Sequence, residues 1–331
     1  MSRRSMNLCA ARREVSGYAN KLLGDQCNLP EFRECLRKLL QIPGLVLSPQ
    51  GGSGLVSGVL LAFNAVCPDR DWKDVVPGVV AGELFYTTFQ LLDKVIDGEI
   101  PMGVENWDPE TVCNAASVVQ VMAYMALLGL RERGFAHEQV EQCIRRMSNA
   151  CTRVAEAQHL DRLAERIESP TLELAFQITI GKSASIDQII GGIGAGLGTE
   201  DPEIVRAFTE FGGALGIYSA LTNDLNDVLP KNMHKADVRR RKKTLPIVYL
   251  VSQTSSESYV KEKQCLRSSR PISVEEEAMI RRALVESGAV DYTSVVAESY
   301  RRKARNALRS LEGRMDVSLL LSTMLRPCDG D

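Results

Sequence analysis

Residues 81–98 read AGELFYTTFQLLDKVIDG. Apolar side chains recur at three- and four-residue spacing, the period of a helix with one face buried, and the run ends in Asp93, Asp97 and Gly98. On such a helix Asp93 and Asp97 project from one face at ~6 Å separation. Two anions so placed repel, and a cation between them accounts for the pairing. Hard carboxylate oxygens suit a magnesium ion that keeps waters and takes substrate phosphate oxygens. The signal is weak by itself, because DxxxD also occurs on solvated helix faces.

The same periodicity extends along the chain in both directions. There is no sustained alternation of apolar and polar residues and no Asn-Gly hairpin signal, so the expected fold class is all-α. Proline and glycine clusters break the helical pattern at residues 43–54, 68–77, 98–109, 129–134, 169–170 and 198–202 and at Pro230. The segments between them have helix length. Residues 1–45 are expected to hold the N-terminal helices. The polar residues 252–273 read as a surface connection, and nothing demands a second domain, so residues 1–331 are read as one.

The 331 residues are 44% apolar and 25% charged, enough for a large core. A net charge of −2 argues for no particular polyanionic partner, and no nucleic acid is expected, since such binders usually concentrate a basic excess on one face. One dense basic run, Arg239 to Lys243, needs a local explanation. The nine cysteines form no CxxC pair and sit near no histidine at ligand spacing, which argues against zinc. Their odd number and the lack of a secretory leader point to a reducing, cytoplasmic location, with most thiols as buried fillers. Charged or glycine residues interrupt every apolar run, so no membrane span is expected.

A second acidic helix is read at residues 211–228, FGGALGIYSALTNDLNDV. A mostly apolar helix with packing glycines ends in Asn223, Asp224 and Asp227. Asn223 and Asp227 share a face at four-residue spacing, and Asp224 precedes Asp227 by three, so their oxygens can converge on a metal. Negative charge at a helix C-terminus opposes the macrodipole, which asks for a compensating cation.

Together these stretches resemble the trans-polyprenyl synthetase superfamily. The resemblance rests on Glu83 to Asp97, on Gln158-His159-Leu160-Asp161, on Lys182-Ser183, and on Phe211 to Gly216 followed by Asn223 to Asp227. It continues through Asp237 to Pro246 and the C-terminal Ser287-Gly288-Ala289, Tyr300 and Ala304, all in order. It implies a helical bundle around a central cavity. Two facing acidic helices would hold magnesium against an allylic diphosphate, and lysines would neutralise the leaving group as the carbon–oxygen bond ionises. Carried over, Asp93 and Asp97 are the first-helix ligands, and Asn223, Asp224 and Asp227 the second-helix ligands. Lys182 and Lys242 become the diphosphate lysines, with Gln158 and Lys94 as further substrate contacts and Phe89 where the family sets pocket depth. Arg239 and Arg240 are left as a solvated charged face, and a homodimer is implied.

The departures from the family pattern fall largely on one substrate. Where the family carries Gly-Lys-x-x-Arg-Pro for isopentenyl diphosphate, this chain has residues 52–57, GSGLVS, with no cation. Where a pair of arginines follows the first acidic motif, it has Glu99-Ile100-Pro101-Met102-Gly103, and Ser219-Ala220 replaces a Phe-Gln pair. Lys94 replaces a carboxylate. A diphosphate facing neutral surface is poorly held, so elongation with isopentenyl diphosphate is not expected. The donor is expected to be geranyl, farnesyl or geranylgeranyl diphosphate. Its cation goes to another acceptor, as in pheromone-modifying prenyltransferases, or closes a ring, as in synthetase-like terpene cyclases. The alternative is a non-catalytic regulatory partner of an active synthase.

Overall fold

The computed structural model describes residues 8–49, 54–100, 104–232, 235–255 and 257–325. No strand occurs among them. The α-helices in chain order are α1 (Leu8–Gln26), α2 (Pro30–Leu40), α3 (Gly54–Val66), α4 (Val76–Ile96), α5 (Pro109–Leu128), α6 (His137–Ala164), α7 (Leu172–Thr179), α8 (Ser185–Gly198), α9 (Pro202–Val228), α10 (Asp237–Arg240), α11 (Leu245–Gln253), α12 (Val260–Arg267), α13 (Val274–Glu286), α14 (Ala289–Arg309) and α15 (Ser318–Met324). A π-helical turn, Ile180–Ala184, joins α7 to α8. The breaks fall where proline and glycine cluster: Pro77 lies in the first turn of α4, and Pro109 in the first turn of α5 behind an Asp108 cap bonded to Thr111 N at 2.6 Å.

The chain divides into two compact units, Met1–Ala150 with Asp187–Gly212 and Ala307–Asp331, and Cys151–Ile186 with Gly213–Asn306. In the first, α4 packs along α5, and α1 and α3 also lie against α4. α1 buries Ala11, Val15, Ala19, Leu22 and Leu23, a stripe at helical spacing. α4 is buried all round from Val76 to Phe85, as a central helix must be when apolar on every face. Gly191 lets α8 press on the first-unit part of α9, since a Cβ there would lie 2.2 Å from the Phe208 carbonyl oxygen. Two stretches, Trp72–Ile96 and Pro109–Arg133, are long and apolar enough to cross a bilayer, contrary to the expectation that every apolar run is interrupted. The most apolar window of the first is 78% buried within the fold and that of the second 44%.

In the second unit α11 supplies two hydrophobic clusters. Ile247, Leu250 and Val251 pack with Val228, Ile280 and Leu284, while Leu245 and Val248 pack with Ala175, Ile217 and Leu221. The expected surface connection at residues 252–273 carries α12, which buries Cys265 and Leu266 and the stem of Lys263. Val260 stays exposed, and the Lys263 ammonium donates to the carbonyls of Thr254 (3.3 Å) and Ser255 (2.6 Å). Ser273 and Glu276 form a capping box that starts α13.

Of the described cysteines only Cys27, Cys143 and Cys265 are buried, so most are not the fillers expected; Cys328 lies outside the described residues. Burial pushes the Cys143 thiol up to about 12.

Arg281 is fully buried and organises this unit. It pairs with buried Glu277 at 2.7 Å. It also donates to the carbonyls of Asp227 (2.6 Å), Leu229 (3.2 Å) and Lys235 (2.9 Å). Arg239 reaches the other Glu277 oxygen at 2.9 Å, so a residue exposed as expected also serves this buried pair. Replacing Arg281 with Ala is expected to cost roughly 3–5 kcal/mol of unfolding free energy in urea melts, because Glu277 and the carbonyls lose their partner. A smaller cost for Glu277→Gln, which leaves the carbonyl bonds intact, checks the assignment.

Candidate functional site

α4 ends in a Schellman motif. Gly98 takes the left-handed conformation (φ +69°), its amide donates to Val95 O at 2.9 Å, and Glu99 N donates to Lys94 O at 2.8 Å. The closure fixes Asp93 and Asp97 in and just past the last turn, both partly accessible. Lys94, half-exposed, forms an ion pair with Glu99. Two departures from the family pattern thus cancel each other's charge, and Lys94 has a carboxylate partner of its own. Phe89, one turn earlier, lies against Phe85 with ring centroids 4.9 Å apart.

In the second unit the acidic end of α9 lies close to a group of lysines. Lys182 comes from the π-helical turn, which can approach α6 because residue 181 is glycine: a Cβ there would sit 2.4 Å from Ala157 Cβ. Lys182 Nζ lies 3.0 Å from Asp161 Oδ2, and Lys242 Nζ is 3.4 Å from the same oxygen and 3.9 Å from Glu165. Asp161 is therefore the hub of the cluster, a role sequence reasoning missed although its motif was noted. Its position three residues after Gln158 on α6 was the available signal. Gln158 is buried, and its Nε2 finds no hydrogen-bond partner among the described residues; neither does Thr244 Oγ1, two residues after Lys242.

Asp224 keeps partial solvent access as a residue, yet its carboxyl is crowded by protein. Burial pushes its pKa well above the usual carboxylate range, with the charges of Asp237, Asp227 and Asp161 adding to the rise and Lys182 opposing it. Asp227 is paired with Lys235 at 3.0 Å. Asn223 is exposed, as is His159. The cation demanded at the C-terminus of α9 is Arg281, bonded to the Asp227 and Leu229 carbonyls.

Among the described residues no three His, Cys, Asp or Glu side chains gather as a ready metal cage. The donors are all hard oxygens, and Asp224 is an acid whose burial among other carboxylates a cation would relieve. Both features fit a magnesium that completes its shell with water and phosphate oxygens better than an ion held by protein alone. Of the substituted segments, residues 52, 53 and 101–103 lie outside the described residues.

The second unit thus gathers lysines and aspartates near the end of one long helix. The chain belongs to the polyprenyl synthetase family, whose sequence profile matches residues 39–284. It is similar to a geranylfarnesyl diphosphate synthase of Aeropyrum pernix, 27% identical over 238 residues covering 67% of this chain and 71% of that one. A geranylgeranyl diphosphate synthase of Methanosarcina mazei is 26% identical over 283 residues, covering 82% and 83%. In fold it matches a polyprenyl synthetase from Streptomyces coelicolor A3(2) with a TM-score of 0.79, at 20% identity over 96% of each chain.

Asp224→Asn tests the electrostatics. A raised folded-state pKa means the folded chain keeps this proton to higher pH than the unfolded chain. The favourable contribution is complete below about pH 4, the unfolded Asp value, and is lost as pH rises through the folded value. Thermal melts without magnesium should therefore show Asp224→Asn more stable than wild type near pH 8, with the gain vanishing at about pH 4. Equal differences at both values contradict the assignment.

Proposed function

We propose that this protein ionises an allylic isoprenoid diphosphate in a magnesium-dependent reaction and delivers the prenyl cation to an acceptor other than isopentenyl diphosphate, or cyclises it. The observation that carries the reading is the convergence of Lys182 and Lys242 on Asp161, beside the raised carboxyl of Asp224. A shared carboxylate holds both ammonium groups adjacent, poised to bind a diphosphate and to neutralise it as it leaves. The buried Gln158 amide offers an unspent donor to the same ligand.

Hard donors for magnesium are available in each unit, Asp93 and Asp97 in the first and Asn223, Asp224 and Asp227 in the second. Bound there, the ion supplies positive charge against the diphosphate oxygens. Phe89 keeps the role that the resemblance implies for it, a limit on the length of the prenyl chain. The Lys94–Glu99 pair and the cation-free 52–57 segment argue against a second diphosphate. Chain elongation is the competing reading, favoured by what the similar archaeal proteins are named for.

Purified protein with magnesium and geranyl, farnesyl or geranylgeranyl diphosphate, with and without isopentenyl diphosphate, separates these readings when released diphosphate and organic product are both followed. The expected result is diphosphate release without elongated diphosphates. Longer prenyl diphosphates would reinstate elongation, and inactivity with tight association to a second synthase would mark a regulatory partner. Asp97→Ala or Asp227→Ala should lower magnesium-dependent release by roughly a hundredfold or more, the scale of losing one transition-state contact, whereas Cys265→Ser should not change it.

A further inference from the structure

Lys243 follows Lys242 in the chain but serves a different surface. It is only 7% exposed, and its ammonium makes no hydrogen bond or ion pair with any described residue. Burial pushes its pKa down, the neighbouring Arg241 guanidinium adds to the push, and Glu165 opposes it. A desolvated cation in this state needs a compensating charge.

That cation lines a cavity of about 370 Å³, together with Arg166, Arg240, Arg241 and Arg267. The cavity also meets the Ser268 and Ser269 residues and two carboxylates, Glu165 and Glu168. Glu165 is already engaged by Arg162 at 2.7 Å, and Glu168 is exposed. Arg166 and Arg267 form no ion pair with a described residue. Positive charge is thus in excess, inside a volume within the range of small-ligand pockets. The wall is also held in place. Arg241 adopts a left-handed backbone (φ +58°) that a non-glycine residue avoids unless it is fixed. Its guanidinium is fastened to the carbonyls of Cys265 (3.0 Å) and Arg270.

Excess guanidinium groups beside a buried ammonium suit a compact multivalent oxyanion, because arginine forks pair with phosphate oxygens two at a time. We propose that this cavity is a second anion site that takes a phosphate-bearing ligand, separate from the Lys182–Asp161–Lys242 cluster. Lys242 is committed to Asp161, and Lys243 is left for the cavity. The ligand is a free phosphorylated molecule or the headgroup of an acidic phospholipid.

The test is calorimetric titration of the full chain with inorganic phosphate, without magnesium, alongside cosedimentation with vesicles of phosphatidate or of phosphatidylcholine. The wild type should bind free phosphate saturably or sediment with phosphatidate vesicles alone, and which of the two occurs identifies the source. Lys243→Met and Arg267→Ala should each weaken that binding roughly tenfold or more. Lys243→Met removes a desolvated charge and Arg267 is exposed, so neither chain should melt below the wild type. Any phosphate binding lost in Lys243→Met should persist with unchanged affinity in Lys182→Ala, whose effect is confined to the Asp161 cluster. Affinity lost in Lys182→Ala but kept in Lys243→Met would place the anion at the other cluster and overturn the proposal, as would the absence of both phosphate and vesicle binding.

Discussion

The second unit depends on a single buried guanidinium. Arg281 takes up carbonyls at and beyond the end of α9, which cannot be satisfied within the helix, and it does so while paired to Glu277. Without a cation there, a helix ending in Asp224 and Asp227 would place acids against the negative end of its own macrodipole. With it, acids can be kept at a helix end for use elsewhere. A buried ion pair is a poor device for stability alone, since apolar residues of equal volume often do as well. Its value here is positional: it fixes where the acidic helix stops.

From that fixed end the chemistry follows by proximity. Asp161 draws two lysines to one oxygen, and Asp224 pays for its burial with a raised pKa that falls when positive charge arrives. In the first unit the Schellman closure of α4 plays the corresponding part for Asp93 and Asp97. Where the first acidic motif has changed, it has changed in a charge-balanced way, with Lys94 and Glu99 pairing.

Much of the fold was legible because it rests on local rules. Helical periodicity and the proline and glycine breaks located the long helices, and both acidic stretches lie on helices as read. Lys182 and Lys242 were singled out by resemblance, and the structure brings them onto one oxygen of Asp161. What escaped is non-local. Arg281 looks like one more charge on an amphipathic helix until its neighbours Ile280, Ala283 and Leu284 are seen to be core. Asp161 gains its role only when two distant segments meet it. The polar stretch holding α12 hid a helix because its only buried apolar residues, Cys265 and Leu266, are adjacent and set no period, and the pairing of exposed Arg239 with Glu277 spans 38 residues.

The widened turn at Ile180–Ala184 makes chain length, and not only residue identity, part of the design. A π turn holds about one residue more than regular winding allows, so deleting Ile180, ahead of Lys182, would restore an ordinary helix and swing Lys182 by about 100° relative to Ala175 and Ile178. Gly181 has no room for a side chain against Ala157, and Lys182 is tied to Asp161, so substitution has scope only at Ile180, Ser183 and Ala184. A change in the number of residues has none, and those three positions should vary in letters while the segment keeps its count.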